Sequence, residues 1–237
     1  MFIKHTAALL CALSASLAWA NPEDTIRSTV EATLGAGAKV EGVTKTPYLG
    51  LYEVRVGGEI LYTDEKASYL IIGEILDPKT RQNITQARVN QLSAINFAEL
   101  PLDVAIKQVR GNGKRVIATF EDPNCGYCKK LAKELLTLND VTIYTFLTPV
   151  LGPDSQKKSE AIWCAADRQK AWGDWMTANV QPPAAAASCD TAGLKKSVAL
   201  GEKYRVRGTP TIFLSNGERI PGYVPVAQLE KRIAGVK

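Results

Sequence analysis

Two cysteines two residues apart, set between an apolar run and a leucine-striped segment, constrain this chain more than any other feature. Val116-Ile117-Ala118-Thr119-Phe120 is apolar and partly β-branched, and it stops at the turn-like Glu121-Asp122-Pro123-Asn124. Cys125-Gly126-Tyr127-Cys128 follows at once. From Lys129 onward, Leu131, Leu135 and Leu138 recur at helical spacing, while Lys129, Lys130 and Lys133 fill the other face. The pattern predicts strand, turn and helix, with Cys125 at the helix N-terminus and Cys128 one turn inside. The unpaired N–H groups and positive dipole end there favour a thiolate over a thiol. Cys125 is therefore expected to titrate low and attack disulfides, with Cys128 as the resolving thiol. Gly126 and Tyr127 leave the two sulfurs able to close a small ring. A zinc site completed by Cys164 and Cys189 competes with this reading, but those two are not a close pair, and zinc knuckles favour Gly-rich loops over helix starts. A purely structural bridge across so short a loop would stabilise little.

The first twenty residues read as an export signal. Lys4 supplies a positive start, Ala7 to Leu17 is apolar, and Ala18-Trp19-Ala20 is a small-x-small cleavage pattern, with the mature chain expected to begin at Asn21. A retained membrane anchor is the alternative, though the segment is short for a span. Cleavage removes Cys11, leaving four of the five cysteines, and His5, the single histidine. The mature chain then has no histidine, which excludes Cys–His and Ser–His–Asp catalysis and His-ligated metals. Loss of Lys4 leaves 28 basic against 24 acidic residues, a net charge of +4 scattered without runs. That reads as a solvated surface and not as a nucleic-acid footprint.

Taken in order, Asn21 to Leu34 predicts a helix, with Ile26, Val30 and Leu34 on one face and Gly35 beyond its end. Strands are expected over Tyr48–Val56, Glu59–Thr63 and Tyr69–Leu76, the first two joined at Gly57-Gly58. This small α+β domain, residues 21–80, has a core small enough to invite completion by a second copy. Residues 81–100 are expected to form a helical linker, with its helix over Asn83–Phe97. In the third part, 101–237, Leu102–Val109 and Arg115–Phe120 are expected to pair as a hairpin across Gly111-Asn112-Gly113. Val141–Leu147 should lie parallel to the strand before the cysteines, closing a βαβ unit. One helix over Lys157–Trp175, a Pro/Ala loop and a helix over Thr191–Tyr204 follow. Cys164 and Cys189 are expected to staple this helical insertion, worth about 3 kcal/mol on the chain-entropy model; two free buried thiols are the alternative. Proline at 210 opens a strand to Leu214, after a tight turn that suits a cis bond. Ser215-Asn216-Gly217-Glu218 turns into an antiparallel strand, and Val226–Val236 closes the chain as a helix.

These stretches together resemble a known family. Cys125-Gly126-Tyr127-Cys128, Ala161-Ile162-Trp163-Cys164-Ala165, Gly208-Thr209-Pro210, Leu214-Ser215-Asn216-Gly217 and Pro221-Gly222-Tyr223 are similar to the DsbC/DsbG family of periplasmic disulfide isomerases. So is Gly58-Glu59-Ile60-Leu61-Tyr62-Thr63-Asp64 near the N-terminus. The resemblance covers essentially the whole mature chain. It implies an α/β thioredoxin-like domain with a helical insertion, preceded by a small cystatin-like dimerisation domain and a helical linker. It further implies a V-shaped homodimer around an apolar cleft, with misfolded disulfide-containing exported proteins as substrates and a DsbD-type membrane reductase as electron donor. No cofactor, metal, nucleic acid or membrane insertion is implied. Carried over by position, Cys125 is the nucleophile, Cys128 its partner and Pro210 a cis-proline beside the disulfide. Thr209 tunes the redox poise, and Cys164–Cys189 is the structural bridge. Glu121 and Asp122 are read as solvated turn residues, with proton transfer for Cys128 as the alternative. A reductase of sulfenylated cysteines, as in DsbG, and a holdase chaperone are the rival functions; Gly126-Tyr127 and Thr209 favour the isomerase.

Overall fold

The computed structural model describes residues 21–236, and the expected signal segment and its cleavage point lie outside them. The described chain forms two compact units that divide between Ile75 and Leu76. No helix among the described residues is long and apolar enough to cross a membrane.

The first unit is one helix on a four-stranded antiparallel sheet. Helix α1 (Pro22–Leu34) starts where the Asn21 side chain accepts from the Glu23 amide, with Pro22, Glu23 and Asp24 in the first turn. Its buried face, Ile26 and Val30, packs on Val40, Val43, Tyr52, Val54 and Leu61. The strands run in order β1 (Val40–Lys45), β2 (Tyr52–Val56), β3 (Glu59–Thr63) and β4 (Leu70–Ile71). Gly57 and Gly58 both hold positive φ, at 61° and 83°, as a two-residue hairpin turn requires. Two expectations need correction. The first strand, β1, was not anticipated, because Glu41 and Gly42 interrupt its apolar pattern. The run from Tyr69 forms only a two-residue strand, with Tyr69 and Ile72 left exposed.

The second unit opens with a short pair, β5 (Leu76–Asp77) and β6 (Gln82–Asn83), then helix α2 (Ile84–Leu92). This helix is shorter than the expected Asn83–Phe97. Beyond it the Ile95 amide donates to the Gly217 carbonyl at 3.1 Å, which seats the segment on a later hairpin. Gly217, at φ 85°, allows that approach: a Cβ there would come within 2.0 Å of the Ile95 carbonyl oxygen.

The remainder is a five-stranded mixed sheet covered on both faces. Its strands are β7 (Ile106–Arg110), β8 (Arg115–Glu121), β9 (Val141–Leu147), β10 (Thr211–Leu214) and β11 (Arg219–Pro221), in order β11-β10-β8-β9-β7. Strands β8 and β9 are parallel, with Arg115 opposite Val141 and Glu121 opposite Leu147. The expected hairpin of β7 with β8 does not form; β9 lies between them. Gly111-Asn112-Gly113 instead wraps the loop ahead of β9, where the Asn112 amide donates to Asp140 and Thr142 donates to the Gly113 carbonyl. The apolar β9 takes the interior place, and β7, with alternating exposure, takes the edge.

Helices α3 (Gly126–Leu135) and α7 (Val226–Ala234) cover one face, packing Leu131, Leu135, Leu229 and Ile233 on Ile117, Ile143, Ile212 and Ile220. The other face carries α4 (Pro153–Trp163), α5 (Arg168–Ala178) and α6 (Ala192–Lys203), whose Ile162, Trp172, Met176 and Leu194 meet Phe120, Phe146 and Phe213. Phe120 stacks on Phe146 at 4.9 Å and meets Phe213 edge-on at 5.6 Å. The expected single helix over Lys157–Trp175 is two. It breaks after Trp163 because Cys164 is bridged and Asp167 caps the next helix by accepting from the Lys170 amide.

Candidate active site

Cys125 is the N-cap of α3, in an extended conformation (φ −71°, ψ 119°), and its sulfur accepts from the Cys128 amide at 3.3 Å. As a thiol it donates to the Thr209 carbonyl at 3.2 Å. The hydrogen bond from the Cys128 thiol is the largest influence on it and outweighs burial. Thr209 and the amides of Cys128 and Tyr127 add to it, and together they bring Cys125 down from 9.0 to about 6. Cys128 is fully buried; burial first, then its hydrogen bond to Cys125 and the nearby Glu121, push it far above the ordinary thiol range. The two sulfurs are free thiols here. One is poised as a thiolate and the other is kept protonated until its neighbour changes state.

The segment leading to Cys125 is built as a rigid approach. Asp122 is fully buried and its carboxylate accepts from the Asn124 amide, the Leu151 amide and the Ser155 hydroxyl at 2.7–2.9 Å. The Cys125 amide donates to the Asp122 carbonyl, and the Trp175 indole donates to the Pro123 carbonyl at 2.6 Å. Glu121 is also buried, 1% exposed. Neither acid is the solvated turn residue that the sequence suggests. The strand continues one residue further than its apolar run, and the helical insertion folds over its end.

Across from the cysteines, Thr209-Pro210 is a cis peptide bond, and the Pro210 carbonyl accepts from the Gly222 amide at 2.9 Å. Cys125, Cys128, Thr209 and Pro210 therefore meet at one place, with Gly126 and Tyr127 on the open side. Tyr127 is 64% exposed and stacks on Tyr223 at 5.9 Å, over which the Lys130 ammonium sits at 4.4 Å. Lys129 and Lys158 lie over the Trp175 ring at 3.9 and 4.9 Å. Cys164 and Cys189 lie apart from this group, joined to each other with Cα atoms 5.9 Å apart. Among the described residues no three metal-ligating acids, cysteines or histidines gather to hold an ion.

This arrangement suits attack on a disulfide by one thiolate and resolution by the second thiol. A family model for the disulfide bond isomerase protein N-terminal domain matches residues 17–86, and one for a thioredoxin-like domain matches residues 102–237. The thiol:disulfide interchange protein DsbC of Escherichia coli is 30% identical over 228 residues, covering 94% of this chain and 92% of that protein. The chain belongs to the DsbC family. By that membership it is a thiol–disulfide oxidoreductase enzyme. The probable DsbC of Bordetella parapertussis is 49% identical over 197 residues, 83% of this chain and 69% of that protein. A crystal structure of a disulfide interchange protein from Neisseria gonorrhoeae aligns at a TM-score of 0.54 with 42% identity, covering 57% of this chain and 96% of that one.

The structure brings together the cysteine pair and the Thr209-Pro210 turn that the sequence singles out, but their surroundings carried no such signal. Tyr223 was legible only as part of Pro221-Gly222-Tyr223, with no hint of its stacking on Tyr127. Trp175 carried no local signal for its bond to Pro123, because the two lie 52 residues apart.

Proposed function

We propose that this chain is a periplasmic homodimeric disulfide isomerase acting on exported proteins with wrongly paired cysteines. The asymmetry of the two thiols carries the reading: Cys125 is lowered to about 6 at a helix N-cap, while Cys128 is buried and held protonated. Cys125 attacks a substrate disulfide and forms a mixed disulfide. A substrate thiol then displaces it to give a new pairing, or Cys128 displaces it to release reduced substrate. Thr209 and cis-Pro210 lie beside Cys125, where an extended peptide can run along the dithiol. Gly126 and Tyr127 shape the exposed side, and Tyr127 with Tyr223 offers an aromatic floor for an unfolded segment. The Cys164–Cys189 bridge is structural. The chemistry needs no cofactor or metal, and a DsbD-type membrane reductase keeps the pair reduced.

The N-terminal unit, which ends at Ile75 and not at the expected residue 80, serves as the dimerisation domain; residues 81–100, expected as a linker, belong to the second unit with the catalytic domain. Strand β4 leaves one edge of its sheet open, with Tyr69 78% and Ile72 82% exposed beside it, and a second copy can cover it. A holdase activity accompanies catalysis in the resulting cleft. Export places the chain in the periplasm after cleavage behind Ala20, without membrane insertion or nucleic-acid binding.

The test is recovery of active protein from a scrambled, fully oxidised multi-disulfide substrate in a glutathione buffer. Wild type should restore activity and Cys125→Ser should not. A wild type that fails here yet reduces a sulfenylated thiol would replace this reading with the DsbG-like one. Protection of an unfolding client by the Cys125→Ser, Cys128→Ser variant, without any isomerisation by wild type, would leave chaperoning as the function.

A further inference from the structure

We propose that Lys129 and Lys158, held together on the Trp175 ring, dock an acidic segment of a disulfide-containing client beside Cys125. This deepens the thiol chemistry proposed above and rests on it. Trp175 is buried on α5, and its indole donates to the Pro123 carbonyl at 2.6 Å, two residues ahead of Cys125. The Lys129 ammonium, on α3, lies 3.9 Å from the ring centre, and the Lys158 ammonium, on α4, lies 4.9 Å from it. Three helices thus set two cations on one ring. The Lys129 amide donates to the Cys125 carbonyl at 3.0 Å, so the pair begins one helical turn from the nucleophile.

Like charges held this way repel, and little on the molecule offsets them. Lys129 donates to the Asn179 side-chain oxygen at 2.6 Å, a neutral acceptor. Lys158, its side chain only 16% exposed, holds Asp154 at 2.6 Å, but the same carboxylate oxygen also accepts from the Asn124 side chain at 2.7 Å. Burial first, then Lys158 and Lys133, hold the Lys129 ammonium below the ordinary lysine range. Among the described residues no carboxylate makes an ion pair with Lys129, Lys133 or Lys157. An arriving carboxylate meets a partly desolvated pair of cations, where a charge-assisted contact is stronger than on open surface.

The pair opens onto a groove. A cavity of about 370 Å³ lies between α4 and the Pro/Ala loop after α5, lined by Lys157, Lys158, Pro182, Ala184 and Ala185. Its acids are engaged, Asp154 as above and Glu160 by the Gln156 side-chain amide at 2.8 Å. One wall is cationic and the other apolar and short-chained, which fits an extended peptide with an acidic residue near its cysteine. None of these cations is among the groups that lower Cys125. Their field therefore acts on the incoming client, steering it to the dithiol, and leaves the thiolate itself as it is.

The test uses homodimeric peptide disulfides that carry an uncharged, self-quenched dye and either aspartate, serine or lysine on both sides of the cysteine. Reduced full-length protein is mixed with each in a stopped-flow instrument. The Cys125 thiolate attacks one peptide sulfur; the bond from Cys125 to that peptide forms as the bond between the peptides breaks, and the second peptide leaves as a thiolate, relieving the quenching. At low salt the aspartate peptide should react about tenfold faster than the lysine peptide, with the serine peptide between, and high salt should close the gap. Lys129→Met with Lys158→Met, which keeps apolar contact with the ring, should bring that ratio to about one, while the pH midpoint of Cys125 alkylation by iodoacetamide does not move. Lys195→Met with Lys196→Met removes the same charge from exposed positions on α6 and should leave the ratio intact. A wild type without the preference overturns the proposal, and so does a ratio lost equally in both variants, which would mark an effect of net charge. Uniform slowing of all three peptides by the first variant with the ratio kept, as a merely structural pair would give, overturns it too, as does a shifted alkylation midpoint. A wild type that shows the charge preference yet fails to reshuffle scrambled substrate defeats the isomerase reading and leaves this proposal standing.

Discussion

With its thiolate favoured down to about pH 6, Cys125 should react with iodoacetamide at a rate whose midpoint lies near that value. An unperturbed thiol would show its midpoint about three units higher. Removing the Cys128 thiol with Cys128→Ala takes away the largest cause, so the midpoint should move up while the helix amides keep it below the free-thiol value. Glu121 gives the opposite kind of dependence. Its carboxyl holds a proton up to about 8 in the folded chain but releases it near 4.5 when unfolded. The unfolded state therefore binds fewer protons across that window, and the contribution of Glu121 to stability falls as pH rises from about 4.5 to about 8. Subtracting wild type from Glu121→Gln cancels the opposing slope of Cys125. The variant's relative thermal midpoint should climb through the window and be flat below it. A difference that does not change with pH would mean that Glu121 ionises in the fold as it does in water.

The elements around the site are held by contacts between segments distant in sequence, and that decided which of them could be read in advance. Helix α3 and strands β8, β9 and β10 announce themselves, since apolar periodicity, the cysteine pair and Gly208-Thr209-Pro210 are all local signals. The order of the sheet does not. Nothing in Ile106–Arg110 says that β9 will stand between it and β8; that follows from β9 being apolar enough for an interior place. The break between α4 and α5 is equally nonlocal, because Trp163 donates from its indole to the Asp190 carbonyl at 3.0 Å while Arg168 lies over its ring at 3.7 Å. Burial of Glu121 and Asp122 was misread for the same reason: their lids, α4 and α5, arrive some thirty to fifty residues later. At the start of α6, a Cβ on Gly193 would meet the Trp163 ring at 2.2 Å. Gly193→Ala should therefore cost about 1–3 kcal/mol in chemical denaturation, because a fixed indole cannot yield as a flexible side chain would. A neutral result would show that Trp163 can move.

On the scale of the whole molecule, two predictions separate the units. Deleting Asn21–Ile75 should leave a thioredoxin-like body that sediments as one chain, where the mature protein, paired as proposed, should sediment as two. If pairing through the N-terminal unit shields the dithiol, the same truncation should become oxidised at Cys125–Cys128 in an oxidising periplasm; a truncation that stays reduced there would remove that role from the N-terminal unit. In the catalytic body, Cys164→Ala with Cys189→Ala should lower stability by about 3 kcal/mol, measured by denaturant midpoint. The bridge has one more consequence. If the chain is exported and cleaved as proposed, it carries four thiols and has to reach a state in which one pair is joined and the other is open. Cys128 is only 36 residues ahead of Cys164, so a crossed bond between them is a local error that traps the nascent chain. If the chain is the isomerase proposed above, mature copies should repair that error in new ones, so pulse-labelled chains should clear their crossed species faster as folded protein accumulates.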